Sequence, residues 1–569
     1  MISPHIRAIW PHSGRVAYQA SLNGRMYATH WLELRGEVTA GVFAFASHLE
    51  LDPGPLGQGG SRLYAQSELL VDGDLRPLRY ATRARGSGLA IEWRSDAIVV
   101  TLPDGSTQRL PVGAARYVVE THFTGLEAVM LAHMHACGQL GEPARTTLFF
   151  VNQLSALPYA LTPAVDLPAP DGAAWVRSSF HEEILLDAGG QLLSLRTPMQ
   201  GIEIRRLTDA PPLPDASVAG SSFRPARYVP PNDPRFRLEE VTIPGPITPI
   251  GGTLSLPNDA MGGRLPAVLF ISGSGAHDRH GMSGELDLGT HEILDHLAAC
   301  GIAGLRFDTR GAGNTRIGDD VLQSGFRTII DDARAAYAYL KTRPEIDPDR
   351  VALIGHSQGG TVALAMLTRF GDGARALALL ATVGRTMAEV SVDQLHVQAK
   401  VTGLSDDQLQ KQLVLTHELY DLLRSDKPWV AGEIPDVHMA AARMVPWLRE
   451  WLQYASDDMI PALRCPLWIG NGDKDFQVDA ERDGARMYAA AVRAGVDATF
   501  KRYPNLDHLF MAQDGPAGLA SYYQPGRHVD RAFLEDLTTW LRDRLGVAPV
   551  AGQTAAQATA QTAPQGRST

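Results

Sequence analysis

Hydrophobic and polar positions alternate through the first third of the chain and then change rhythm. Between about residues 20 and 205, short runs such as Tyr64-Ala-Gln-Ser-Glu-Leu-Leu70 and Ala97-Ile-Val-Val-Thr-Leu102 are separated by turn signals. That pattern predicts antiparallel strands with one buried face. Asp72-Gly73, Asp104-Gly105 and Gly189-Gly190 stand where tight hairpins need a residue at positive φ. Leu126 to Cys137 departs from the pattern: it is apolar, lacks Gly and Pro, and predicts a helix. Together these elements predict a β-rich N-terminal domain over 1–208, a curled antiparallel sheet or open barrel.

Prolines then cluster, from Asp209-Ala-Pro-Pro-Leu-Pro214 to Pro230-Pro-Asn-Asp-Pro234. Proline cannot serve in central strands and stiffens linkers, so 209–235 is expected to be a linker. From 236 to 546 the pattern becomes strand, loop, helix, strand. The runs Ala267–Ile271, Gly304–Phe307, Val351–Ile354, Ala376–Ala381, Pro466–Ile469 and Thr499–Tyr503 are apolar on both faces, as in a parallel sheet covered by helices. Ile330, Ala333, Tyr337 and Leu340 share one face of a helix between them. The fold class predicted is α/β, with a doubly wound, mostly parallel sheet. The stretch from Thr382 to Ala462 is too long for that rhythm. It is helical in pattern, carries Trp429, Trp447 and Trp451, and predicts a helical lid over about 383–461. The tail 547–569, rich in Ala, Gln, Thr and Pro, is expected to be disordered.

Composition narrows the partners. Lys and Arg number 52 against 63 Asp and Glu, a net charge of −11, which opposes general binding to nucleic acid or an anionic membrane. Cys137, Cys300 and Cys465 lie too far apart for a disulfide framework or a zinc knuckle. The first ten residues lack the apolar core of about 7–15 residues that a signal peptide needs, and no run reaches the roughly 18 of a membrane helix. A cytoplasmic location is the expectation.

The strongest chemical signal is Gly355-His-Ser-Gln-Gly359, directly after the strand Val351–Ile354 and before a helical run. A strand, a GxSxG turn and a helix make a nucleophile elbow, with Ser357 as nucleophile. Gly355 and Gly359 are required because side chains there would strike the neighbouring strand and helix. On this fold the acid and then the base follow the serine in the chain. Asn471-Gly-Asp-Lys-Asp-Phe-Gln-Val478 ends a strand and offers Asp475 as the acid, with Asp473 as its rival. Tyr503-Pro-Asn-Leu-Asp-His508 ends the next strand and offers His508 as general base, with Asp507 shaping the loop. An oxyanion needs two donors. One is expected to be the backbone N–H of Gln358; the other, from the Gly-rich loop Ile271-Ser-Gly-Ser-Gly-Ala276, that of Ser274, with Gly275 second.

With these motifs in place, residues from about 238 to 545 resemble the α/β-hydrolase superfamily, more narrowly bacterial serine esterases of the serine-aminopeptidase/prolyl-oligopeptidase-like branch. The resemblance is carried by Gly252-Thr-Leu-Ser-Leu-Pro257, Gly273-Ser-Gly-Ala-His-Asp-Arg-His-Gly281, Arg306-Phe-Asp-Thr-Arg-Gly-Ala-Gly313, Gly355–Gly359, Gly472-Asp-Lys-Asp475 and His508. Ala276 stands where such esterases usually have proline. The resemblance implies that Asp278 and Arg279 hold the oxyanion loop and that Asp308 and Arg310 are scaffold. It implies a carboxylesterase working through an acyl-enzyme, with no metal and no organic cofactor. Peptidase or amidase, thioesterase and acyltransferase activities would use the same residues. The expected partner is a small-molecule ester. The N-terminal domain lies outside the resemblance. Within it, His133-Met-His-Ala-Cys137 reads as helix packing rather than a metal cluster, and Glu182-Glu183 as an ordinary carboxylate pair rather than an amine anchor.

Overall fold

Period-two patterning in the first third of the chain produces one sheet of fifteen strands among the described residues. The computed structural model describes residues 6, 9–12, 14–84, 87–103, 105–111, 115–120, 124–214, 224–258, 263–316, 325–515 and 518–547. The expected disordered tail lies, apart from Val547, outside these residues, as does Asp104.

Eight strands from Val16–Leu22 to Thr107–Leu110 form an antiparallel meander, and six from Ala144–Phe150 to Ile202–Arg206 form another. The last strand closes against the first, Tyr18 facing Arg206. The fifteenth, Tyr117–Val119, pairs in parallel with Ala144–Phe150, and the helix Thr124–Ala136 makes the crossover between them. This helix is buried nearly all round: Leu126, Met130, Leu131 and Met134 join one core with Leu32, Phe45, Tyr80, Ile91 and Leu195 from both meanders. The sheet therefore curls over the helix, which explains an apolar helix with no polar stripe. One expected hairpin differs. In the loop 72–76 the positive φ falls on Leu75 (59°), not on Gly73. Asp72 Oδ1 accepts the N–H groups of Asp74 and Arg76 and builds a longer turn. Gly105 and Gly190 do adopt positive φ, 79° and 75°.

The second sheet has eight strands, labelled in chain order: β1 Phe236–Ile243, β2 Ile250–Pro257, β3 Leu265–Ile271, β4 Ala303–Phe307, β5 Ile346–His356, β6 Leu377–Leu380, β7 Leu467–Gly472 and β8 Ala498–Tyr503. Their order is β1-β2-β4-β3-β5-β6-β7-β8. β2 runs antiparallel to β1 and β4, and the remaining pairs are parallel. Among the described residues this domain's longer helices are α1 Thr290–Ala299, α2 Phe326–Thr342, α3 Gln358–Thr368, α4 Met387–Thr402, α5 Asp406–Arg424, α6 Val445–Trp451, α7 Arg486–Arg493 and α8 Arg531–Leu545. Alternate residues of β3 serve two cores. Ala267, Leu269 and Ile271 pack with α2, α3 and α7, while Val268 and Phe270 pack with α1 and α8. Strand order reverses around β3, so the crevice at the C-terminal ends of β3 and β5 is where such a sheet binds ligands.

Helices α4, α5 and α6 form the expected insertion between β6 and β7. Capping boxes at Thr386/Glu389 and Ser405/Gln408 start its first two helices. The β-rich domain grips this insertion: Asn23 Nδ2 donates to the carbonyls of Thr402 (3.0 Å) and Gly403 (2.9 Å). Leu157 packs with Ile434 and Met439. Among the described residues, no helix is long and apolar enough to cross a membrane.

Candidate active site

The turn from β5 into α3 lifts Ser357 out of the sheet at φ 53°, ψ −122°, a conformation strained for a residue with a side chain. Its two glycines fail any replacement for different reasons. A Cβ on Gly355 would sit 2.5 Å from the carbonyl oxygen of Gly359, inside the turn; one on Gly359 would sit 2.1 Å from the carbonyl oxygen of Ile271, at the end of β3. The same closeness brings the loop after β3 against the serine, since a Cβ on Gly273 would lie 3.2 Å from that of Ser357.

The candidate acid and the candidate base come from the ends of β7 and β8. Nδ1 of His508 lies 2.7 Å from Oδ2 of Asp475, with the two side chains 6% and 0% exposed. The other oxygen of Asp475 accepts the N–H groups of Gln477 (2.8 Å) and Val478 (3.0 Å). These bonds leave Oδ2 for the imidazole and fix its direction. Asp473, the rival, instead pairs with Arg502 at 2.8 Å. Asp507 accepts the N–H of Leu509 and pairs with Arg527, holding the histidine loop. The Ser357 hydroxyl makes no hydrogen bond among the described residues.

His356, inside the elbow, is a positioning residue that the sequence alone did not reveal. Its Nε2 lies 2.8 Å from the backbone carbonyl of His508, so the neutral ring donates there. Burial, with the neighbouring His508 imidazole, pushes its pKa down to about 3 and keeps it neutral. The signal was present: a histidine between the elbow glycine and the serine can face only the neighbouring loops.

The backbone N–H groups of Gln358 and Ser274 donate to no partner among the described residues. Both residues line one cavity of about 290 Å³, with Gly275, Phe307, Ile329 and Trp447 among the others. The loop carrying Ser274 is braced from behind. Asp278 accepts the N–H groups of His280 and Met282. Arg279, 5% exposed, forms a two-pronged pair with Asp308 at the end of β4 (3.0 and 2.9 Å). Trp447 meets the cavity and also packs edge-on to Trp451, 4.8 Å between centroids.

The N-terminal candidates lie apart from this cluster. His133 bonds Tyr117 (2.8 Å) and approaches Cys137 (3.5 Å). Glu182 shares the Tyr159 hydroxyl with a second half-buried carboxylate, Glu127 (2.8 and 3.1 Å). Burial raises the pKa of both carboxyls. Glu183 pairs with Arg196. Glu127 is distant in sequence from Glu182, and only the curl of the sheet brings them together.

Residues 279–514 match the family model described as serine aminopeptidase, S33. That span holds the elbow, Asp475 and His508. The putative hydrolase YtaP of Bacillus subtilis (strain 168) is 32% identical over 114 residues, covering 18% of this chain and 38% of that protein. An uncharacterized protein of Mycobacterium tuberculosis, Rv2307c, is 36% identical over 105 residues, covering 18% of this chain and 32% of that protein. The alignments thus span less than two fifths of the length of these curated relatives. Among solved structures, the esterase of Pyrobaculum calidifontis aligns with TM-score 0.36 and 20% identity over 56% of this chain and 88% of its own. Est1E from Butyrivibrio proteoclasticus aligns with TM-score 0.33 and 15% identity over 54% and 99%. The C-terminal part of this chain is thus similar, over residues 279–514, to the serine aminopeptidase, S33 hydrolases, and its second sheet is a doubly wound, mostly parallel one.

Proposed function

We propose that the protein is a serine hydrolase that cleaves carboxylic esters through an acyl-enzyme, with Ser357 as nucleophile, His508 as general base and acid, and Asp475 as its partner. The observation that carries this reading is the buried Asp475–His508 pair at 2.7 Å beside a serine on a strained strand-to-helix turn. In this reading the imidazole takes the serine proton on Nε2, the hydroxyl closing onto it as substrate binds. Ser357 Oγ attacks the acyl carbon as its proton passes to His508. The tetrahedral oxyanion accepts from the N–H groups of Gln358 and Ser274 at the positive end of α3. Collapse breaks the bond to the alcohol oxygen, which takes the proton from His508. Water then repeats the sequence on the acyl-serine and releases the acid. The insertion between β6 and β7 acts as a lid in this reading, with Trp447 reaching from it into the cavity.

Hydrolysis of p-nitrophenyl esters from acetate to palmitate, beside aminoacyl p-nitroanilides, tests the reading with Ser357→Ala as control. Ester turnover lost in the variant, without anilide turnover, is the expected result. Anilide turnover would make the protein a peptidase with the same three residues.

A further inference from the structure

The β-rich domain holds none of the three candidate catalytic residues, yet its loop 54–61 rests on the segments that hold Asp475 and His508 in place. The loop meets α4 of the insertion first. The carbonyl of Leu56 accepts from Gln398 Nε2 (3.2 Å), and a Cβ on Gly57 would fall 2.5 Å from Cγ1 of Val401. It then meets the short turn Leu519–Tyr523. A Cβ on Gly59 would fall 2.3 Å from a ring carbon of Tyr523 and 2.9 Å from Cα of Ala520. Only glycine allows so close an approach. Beyond these contacts, the N–H and hydroxyl of Ser61 donate to the two oxygens of Glu285 (2.7 and 2.6 Å) and pin the end of the loop.

Both supports converge on Gln477, two residues after Asp475. From α4, Gln394 Nε2 donates to the Gln477 carbonyl (3.2 Å), and Val390 is buried with Val478. From the turn, the Tyr522 hydroxyl accepts from Gln477 Nε2 (2.8 Å), and its ring lies 5.6 Å from that of Phe476. Gln477 and Val478 are the residues whose N–H groups hold Oδ1 of Asp475, so a shift of those amides turns the carboxylate. The turn also reaches the histidine side. The Ser521 carbonyl accepts from Arg527 (3.4 Å), which pairs with Asp507 beside His508.

We propose that loop 54–61 of the β-rich domain is a positioning element of the active site. By wedging against Leu519–Tyr523 and α4 it fixes the segment 475–478, and with it the direction of the Asp475 carboxylate toward His508. This rests on the serine-hydrolase reading of the site. A connecting loop keeps its shape only through what packs on it, so the domain that packs on this one completes the acid–base pair.

Gly59→Val in the full chain is the test. Its Cβ meets the turn first, whereas that of Gly73→Val, the control in the same domain, would meet nothing within 4 Å. Competent sites are counted by titration with a fluorophosphonate that labels the active serine, and kcat on p-nitrophenyl acetate is taken per labelled site. Gly59→Val is expected to lower that kcat about tenfold with KM little changed, a displacement of well under 1 Å at the pair, and Gly73→Val to leave it unaltered. Tyr522→Phe, which removes the acceptor of Gln477 Nε2, should cost about fivefold. Both act through Gln477, so the double variant should lose less than the product of the two. Gln398→Ala, which cuts the bond to Leu56 without adding bulk, should lower kcat per site about threefold and carries the test if Gly59→Val does not fold. An unchanged kcat per site in Gly59→Val, or in Gln398→Ala in its stead, overturns the proposal alone, as do losses that multiply in the double variant. Wild type that neither hydrolyses the ester nor takes the label overturns the serine-hydrolase reading and this proposal with it.

Discussion

Replacing Asp475 with Asn removes one charge and one acceptor while keeping the shape of the side chain. Asp475 is fully buried, and its Oδ1 is committed to the N–H groups of Gln477 and Val478. An Asn keeps those two bonds by leaving its oxygen there, which turns its amide N–H toward His508 Nδ1. The imidazole must then accept at Nδ1 and carry its proton on Nε2, where it cannot take one from Ser357. The imidazolium formed in the transition state also loses its partner. Charges about 4 Å apart at an effective dielectric of about 20 attract by about 4 kcal/mol. At about 1.4 kcal/mol per factor of ten, that is close to a thousandfold, and the wrong tautomer adds about tenfold more. The expected fall in kcat on an activated ester is therefore 10³- to 10⁴-fold, roughly. The assay is steady-state ester hydrolysis from pH 5.5 to 9, with thermal melting to report folding. A loss under about tenfold in a folded variant, or a larger loss in Asp473→Asn, would refute the assignment.

Three further outcomes follow from the same geometry. Gly359→Ala puts a Cβ 2.1 Å from the Ile271 carbonyl oxygen, which is backbone and cannot swing aside. Relief moves the elbow about 1 Å from the oxyanion loop, and kcat should fall about a hundredfold, read beside the variant's melting temperature. His356→Phe removes the donor to the His508 carbonyl, one hydrogen bond worth about 1 kcal/mol, so kcat should drop about fivefold with KM little changed. Acid should loosen the β-rich domain. His30, 3% exposed, accepts the Gly125 N–H at the start of the domain's helix, and burial pushes its pKa down to about 3. A pKa lowered by folding gives stability that is full above 6.5 and is lost as pH falls toward 3. Between pH 7 and pH 5 the loss is on the order of 2 kcal/mol for this histidine. Melting scans should show it, and His30→Gln should flatten that part of the pH dependence.

The residues that fix the site announce themselves because their constraints are local. Gly355 and Gly359 are dictated by a turn five residues long, and the strand before Asp475 is an apolar, fully buried run; the strand before His508 is not the two-faced apolar run expected, since it carries the exposed Lys501 and Arg502 at the edge of the sheet. Apolar character on every side of Leu126–Met134 likewise betrays a helix wrapped by its own sheet. What sequence patterns do not carry is long-range pairing. Arg310 looks like scaffold within Arg306–Gly313, and only its fork to Asp332, 22 residues on, shows what it holds. The pairing of Glu127 with Glu182 and the contacts of Asn23 with Thr402 and Gly403 depend on curvature and docking, which leave no periodic trace. At residues 72–76 a dipeptide cue misplaced the turn, because the Asp72 side chain stabilises a longer loop than Asp-Gly suggests.

Ser357 is expected to carry the acyl group between two half-reactions. Mixing excess enzyme-saturating p-nitrophenyl ester with the protein in a stopped-flow instrument, then quenching in acid and mapping peptides by mass spectrometry, tests it most directly. The expected result is an initial release approaching one p-nitrophenolate per chain and an acyl mass on the peptide containing Ser357, both absent in Ser357→Ala. An acyl mass on another residue, or turnover unchanged in Ser357→Ala, would contradict it.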